Sequence, residues 1–123
     1  MKLSPKIESG NIEYTLKIIL TKNIFSKNIN LIKLTTQLKW RLSEGNNIAY
    51  YYLGVNDDGS ISNITTKNYN LSVKNIKTIC KNINCRIKQI EFNDGWYKIK
   101  IIKKKYENEN DDIIILIKNI GVR

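Results

Sequence analysis

Few side chains in this sequence could do chemistry, and what is missing narrows the choice. No histidine occurs among the 123 residues, which removes Ser-His-Asp and Cys-His catalysis and any zinc site that needs imidazole. The two thiols, Cys80 and Cys85, cannot make a four-ligand site, and both read as buried small hydrophobes. The acid pairs Asp57-Asp58 and Asp111-Asp112 lack the spaced oxygen ligands of a calcium loop and read as turn and loop acids. Six scattered glycines contain no match to G-x-x-x-x-G-K-[ST], so no phosphate-binding loop is encoded here. Neither a catalytic residue nor a cofactor or metal site is expected in these residues.

What remains is charge. Lys and Arg number 21 against 11 Asp and Glu, a net charge of +10 with a pI near 9.6. A balance of this size suits an anionic partner such as RNA. Ile, Asn and Lys together supply 58 of the 123 residues, and Lys outnumbers Arg 18 to 3. All three have A/T-rich codons, so coding bias can raise lysine content by itself, and charge position must decide. No apolar run reaches the ~18 residues of a membrane helix. The opening Met1-Lys2-Leu3-Ser4-Pro5 lacks a secretory apolar region. A cytoplasmic, monomeric protein away from membranes is expected.

The elements that position these charges follow from periodicity. Residues 1–10 form a lead-in. Asn11–Leu20 alternates, placing Ile12, Tyr14, Leu16 and Ile18 on a buried face and Glu13, Thr15 and Lys17 outside. After a polar connector (Thr21–Lys27), Asn28 can cap a helix running to about Glu44. Its seam is Leu31, Leu34, Leu38 and Leu42, and Gly45 is the residue just beyond its end. Asn47–Val55 is a strand closed by the turn Asn56-Asp57-Asp58-Gly59. A second helix spans Thr66–Asn82, buried through Tyr69, Val73, Ile76, Ile79 and Cys80, with Ile83 beyond. Cys85–Phe92 and Trp96–Lys103 form a hairpin about Asn93-Asp94-Gly95. Lys104–Asp112 is a charged loop, and the apolar run Ile113–Ile117 reads as a strand covered on both faces. The order β-α-β-α-β-β-β predicts one α/β domain, an α+β two-layer sandwich. Its mixed sheet of about five strands carries both helices on one face.

Helical phase then sorts the charges. At 100° per residue from Leu31, Trp40 lies near 180°, Lys33 near 200° and Gln37 near 240°, opposite the leucine seam. Trp40 there either docks on a base or another domain, or is capped by the lead-in. On the second helix Lys67, Lys74, Lys77 and Lys81 fall within about 80° of one another. No acid occurs from Ile61 to Arg86, so the stripe repels itself unless an anion neutralises it. The alternative is a solvated face whose lysines reflect coding bias. Lys98, Lys100, Lys103, Lys104 and Lys105 form a third cluster, which the acids of Glu107–Asp112 are expected to neutralise locally.

Two stretches carry a family resemblance. Gly10-Asn11-Ile12-Glu13-Tyr14-Thr15-Leu16-Lys17 is similar to the opening of the N-terminal domain in the "GTP-binding protein" family of elongation-factor-Tu-like translational GTPases. Leu34-Thr35-Thr36-Gln37-Leu38-Lys39-Trp40-Arg41-Leu42-Ser43-Glu44-Gly45, followed by Gly54-Val55-Asn56-Asp57-Asp58-Gly59, resembles that family's T-Q-x-K-W-R-L-x-E-G … G-V-x-D-x-G signature. The resemblance covers roughly residues 8–83. The Lys22–Asn30 connector and the Asn/Lys-rich second helix depart from it.

The resemblance implies a GTPase domain and two β-barrels after these residues, with Ile113–Arg123 leading toward the GTPase domain. The parent would be a GTPase binding GTP and Mg, whereas this segment would be a non-catalytic accessory domain over 1–123. Its implied partners are the ribosome, tRNA or rRNA, and its own GTPase domain in cis. Helical phase offers Lys33, Gln37, Trp40, Lys67, Lys74, Lys77 and Lys81 as contact residues, and Gln37, Trp40 and Arg41 also match the family motif. A free-standing basic RNA-binding module is the other reading.

Overall fold

A computed structural model describes residues 2–20 and 23–118. Part of the connector (21–22) and the terminal 119–123 lie outside them. The elements are β1 (Ile12–Thr15), α1 (Ile24–Glu44), β2 (Ile48–Leu53), α2 (Thr66–Asn82), β3 (Cys85–Phe92), β4 (Tyr97–Lys103) and β5 (Ile114–Ile117). They form an α+β fold with one mixed five-stranded sheet in the order β1-β2-β4-β3-β5. The outer pairs β1/β2 and β3/β5 are parallel and the inner pairs antiparallel. The element order is the one the periodicity predicts.

The sheet pleat separates two faces. Ala49, Tyr51 and Leu53 of β2 share a face with Ile99 and Ile101 of β4 and with Ile87 and Ile90 of β3. This face is dry because Leu38 and Leu42 of α1, and Ile76, Ile79 and Cys80 of α2, close over it. At roughly 25 cal/mol per Å² of apolar surface removed from water, such burial is the main driving term for the fold. Thr65 caps α2 by accepting the Asn68 N–H, as a threonine at that position should.

The main departures from the sequence expectation lie in β1, at the two ends of α1 and in β5. β1 is shorter than 11–20 and turns the other way: Glu13, opposite Tyr51, points into the helix layer and is 5 % exposed. Its acid is inside because Arg41 meets it there. Past Thr15 the chain leaves the ladder, and Leu16 is exposed. Ile18 is still buried, but α2 side chains replace a neighbouring strand: its N–H donates to Ser72 Oγ and its carbonyl accepts from Asn75 Nδ2, both at 2.9 Å.

The start and end of α1 also shift. Its cap is Asn23, not Asn28, because the Asn23 side chain accepts the Ser26 N–H at 3.0 Å and the helix is already continuous at 28. Gly45 does cap the end, donating its N–H to Arg41 O, but with φ −103°. The left-handed turn is made by Asn46 and Asn47. Gly45 is needed for proximity, since a Cβ there would lie 1.9 Å from Ile48 O and 2.5 Å from Asn11 Cβ. Finally, β5 is not covered on both faces. It is the sheet's edge beyond β3, α1 packs against β2 and α2 against β3, and all four β5 side chains are exposed.

Candidate nucleic-acid interface

The outer face of α2 holds the predicted stripe. Ser72, Asn75, Ile76, Ile79 and Cys80 turn inward, so helical geometry leaves Lys67, Lys74, Lys77 and Lys81 outside, and all four are exposed. Among the described residues none of them is in an ion pair. Lys77 and Lys81 line a pocket of about 350 Å³ with Arg86 and Asp111. An open groove of about 630 Å³ adds Lys39 of α1 and Lys103 of β4 around Lys81, with Glu107. Asp111 is engaged by Lys104 at 3.3 Å, and Arg86 by Glu109 at 2.6 Å. The lysines are the groups left to meet an external anion.

Cys80 and Cys85 are also at this pocket, both buried and unpaired. The hydrogen bond to Cys85, with burial, pushes the Cys80 thiol well above its ordinary range. That direction suits a packing residue rather than a nucleophile.

The α1 residues divide. Lys33 is exposed, Gln37 half-buried and Trp40 45 % exposed on the helix's outer side. Arg41, expected to meet a partner, is 2 % exposed and is taken up inside the protein. Its Nε and Nη2 donate to Glu13 Oε2 at 3.2 and 3.0 Å. Its Nη1 donates to the carbonyls of Ser9 and Gly10 at 3.1 and 2.8 Å, and Nη2 to that of Ile7 at 3.4 Å. The guanidinium also lies 4.7 Å from the Trp40 ring centroid, a cation–π contact that occupies part of that ring. The wheel carried a signal for this: Arg41 is only about 20° from Leu34, on the seam side.

Lys6 completes this clasp, donating to Glu13 Oε1 at 3.2 Å. Burial pulls the Lys6 ammonium down, yet its hydrogen bond to Glu13 and the charges of Glu13, Asp57 and Glu8 outweigh it and raise its pKa. Three more residues of the long sequence signature, Glu44, Asp57 and Gly59, serve the same clasp. Glu44 Oε1 accepts the Gly10 N–H at 3.2 Å, and the carbonyl of Asp57 accepts the Lys6 N–H at 2.7 Å. At Gly59, φ is +91° and a Cβ would lie 2.0 Å from Leu3 O. The lead-in is thus fastened along α1 and the turn after β2.

The open face of the sheet was not singled out from the sequence. Tyr14 and Tyr52 stack across β1 and β2 at 5.2 Å, and Tyr52 meets Trp96 at 5.0 Å. Lys98 sits 5.1 Å over Tyr50 and 5.8 Å over Tyr52. Burial lifts the pKa of Tyr14 and Tyr52, keeping both phenols neutral at physiological pH. The expected neutralisation of the Lys98–Lys105 cluster is therefore local, reaching Lys104 through Asp111 while Lys98 lies over tyrosines. Two-residue alternation of Tyr50/Tyr52 and Lys98/Lys100 was the available signal.

Fold and site together define a two-layer α+β domain with a basic helical face and an internally clasped lead-in. No protein-family model matches the chain, and no solved structure matches it. Among curated proteins it is similar to GTP-binding protein 2 of Mus musculus and of Homo sapiens. Each is 33% identical over 85 residues, 69% of this chain. The chain spans only 13% of the length of these relatives. The likeness is to an 85-residue stretch of a much longer GTP-binding protein.

Proposed function

We propose that the chain is a non-catalytic N-terminal domain of a longer, cytoplasmic, elongation-factor-like GTP-binding protein. It docks on ribosomal or transfer RNA through the lysine face of α2, and Lys33, Gln37 and Trp40 rest against its own GTPase domain. The observation that carries the reading is Lys67, Lys74, Lys77 and Lys81 exposed together, with no ion pair among the described residues and no acid between Ile61 and Arg86. Such a face is self-repelling when empty and neutralised by a phosphate backbone. The similarity to GTP-binding protein 2 supports a GTPase parent.

The residues of this chain do not fit GTP and Mg. Gly45 and Gly59 are packed against other backbone, and no glycine-rich loop ending in Lys-Ser/Thr leads into α1 or α2. Nucleotide chemistry is assigned to the rest of the parent. The tyrosine–lysine sheet face favours a second reading, a free-standing basic RNA-binding module, because neutral aromatic rings beside lysines suit bases as well as phosphates.

The test is RNA affinity measured by fluorescence anisotropy across a salt series. On duplex the log–log slope should be about −0.9 per phosphate neutralised. Lys74→Glu with Lys77→Glu should weaken binding and flatten the slope. Unchanged affinity and slope would overturn the proposal.

A further inference from the structure

Among the described residues, the edge strand β5 leaves an apolar surface open. β5 pairs with β3 on one side and with nothing among the described residues on the other. Ile114, Ile115, Leu116 and Ile117 are 46 %, 49 %, 38 % and 71 % exposed. An exposed aliphatic edge strand without proline or an inward charge is a template for another strand. A monomer was expected from the sequence, and so was a β5 covered on both faces.

The edge has a defined hydrogen-bonding face. The Lys118 N–H donates to Phe92 O of β3 at 2.9 Å. Backbone groups alternate sides along a strand, so those of Ile114 and Leu116 also face β3. Those of Ile113, Ile115 and Ile117 point outward.

The sequence around the edge is self-complementary in one register. Asp112 precedes the aliphatic run and Lys118 follows it. With Ile115 opposite its own copy in an antiparallel pair, Ile114 meets Leu116 and Ile113 meets Ile117. Asp112 then meets Lys118 at both ends. Sliding one strand by two residues in either direction, to centres at Ile114 or Leu116, sets Asp112 against Leu116 or Lys118 against Ile114. In the Ile115 register the outward amides and carbonyls of both strands face each other, and the two sheets continue as one. Asp112 is exposed, and Lys118, 3.7 Å from Glu91, retains a side chain 57% exposed.

We propose that two copies of this chain associate through antiparallel β5–β5 pairing centred on Ile115, with Asp112 and Lys118 as reciprocal ion pairs. A two-fold interface of this kind is isologous and closes at a dimer.

The test is sedimentation of the 123-residue chain across concentration, together with amide exchange. A reversible, concentration-dependent monomer–dimer equilibrium is expected. Amide protection at Ile113, Ile115 and Ile117 should rise with concentration, while Ile114 and Leu116 stay unchanged. Asp112→Lys alone should weaken dimerisation about tenfold, and adding Lys118→Asp should restore it. Ile115→Asp sets two carboxylates on the axis and should give a monomer with an unaltered circular dichroism spectrum. A monomer at every concentration would overturn the proposal, as expected if another segment or protein covers β5. Association insensitive to Ile115→Asp, or a double charge swap without rescue, would overturn it too, by pointing to another surface.

Discussion

Replacing Arg41 by alanine is the perturbation whose consequence the structure defines most closely. Its guanidinium makes two hydrogen bonds to Glu13 and three to the lead-in carbonyls of Ile7, Ser9 and Gly10. Removing one member of a buried pair costs about 3–5 kcal/mol, because the other charge stays desolvated. Here Lys6 still reaches Glu13 Oε1 at 3.2 Å, so the lower end, about 3 kcal/mol, is expected. Against a domain stability of about 5–15 kcal/mol that is a large fraction. Urea unfolding followed by tryptophan fluorescence measures it. Glu13→Leu with Arg41→Met removes both charges and should cost clearly less than the two single changes added together. An Arg41→Ala loss below about 1 kcal/mol, or strict additivity in the double variant, would refute the claim that this pair organises the lead-in.

Trp40 and Leu38 separate surface from core on the same helix. Trp40→Ala should cost about 1–2 kcal/mol, from half a ring's burial and its contact with Arg41, while Leu38→Ala should cost about 2–5 kcal/mol. Equal losses in chemical denaturation would show Trp40 to be a core residue. For pH, the hydrogen bond from Arg86, then that from the Lys105 N–H, holds the Glu109 carboxyl below its ordinary value of 4.5. Its folded pKa being depressed, the stabilisation is complete above the unfolded value and is lost as pH falls through the folded one. A carboxyl NMR titration should find the Glu109 midpoint below 4.5, and a midpoint at or above it would contradict the pairing.

Much of the fold was legible because it follows from local repeats. The Leu38 and Leu42 seam, the inward face of α2 from Tyr69 to Cys80 and the turn at Asn93-Asp94-Gly95 all emerge from spacing alone. Glu13 was misread because alternation assigns an acid to solvent, and only a cation arriving from 28 residues away reverses that. Arg41 was given to a partner because it lies in the family motif beside Trp40, and the residue that neutralises it is remote in sequence. An apolar run such as Ile113–Ile117 states that a strand is uncharged, not that anything covers it. The α2 lysines were legible because helical phase and the absence of acids are both local properties. The open tyrosine–lysine face was not, since it forms only when β1, β2 and β4 lie side by side.

The central claim, that the α2 face docks RNA, is tested most directly by mapping the contact. Isotope-labelled chain titrated with unlabelled RNA reports each backbone amide separately. Shifts concentrated on α2 from Lys67 to Lys81, and at Lys39 and Lys103 beside it, are predicted. Shifts confined to Tyr50, Tyr52 and Lys98 on the open sheet face, or none at saturating RNA, would contradict the claim.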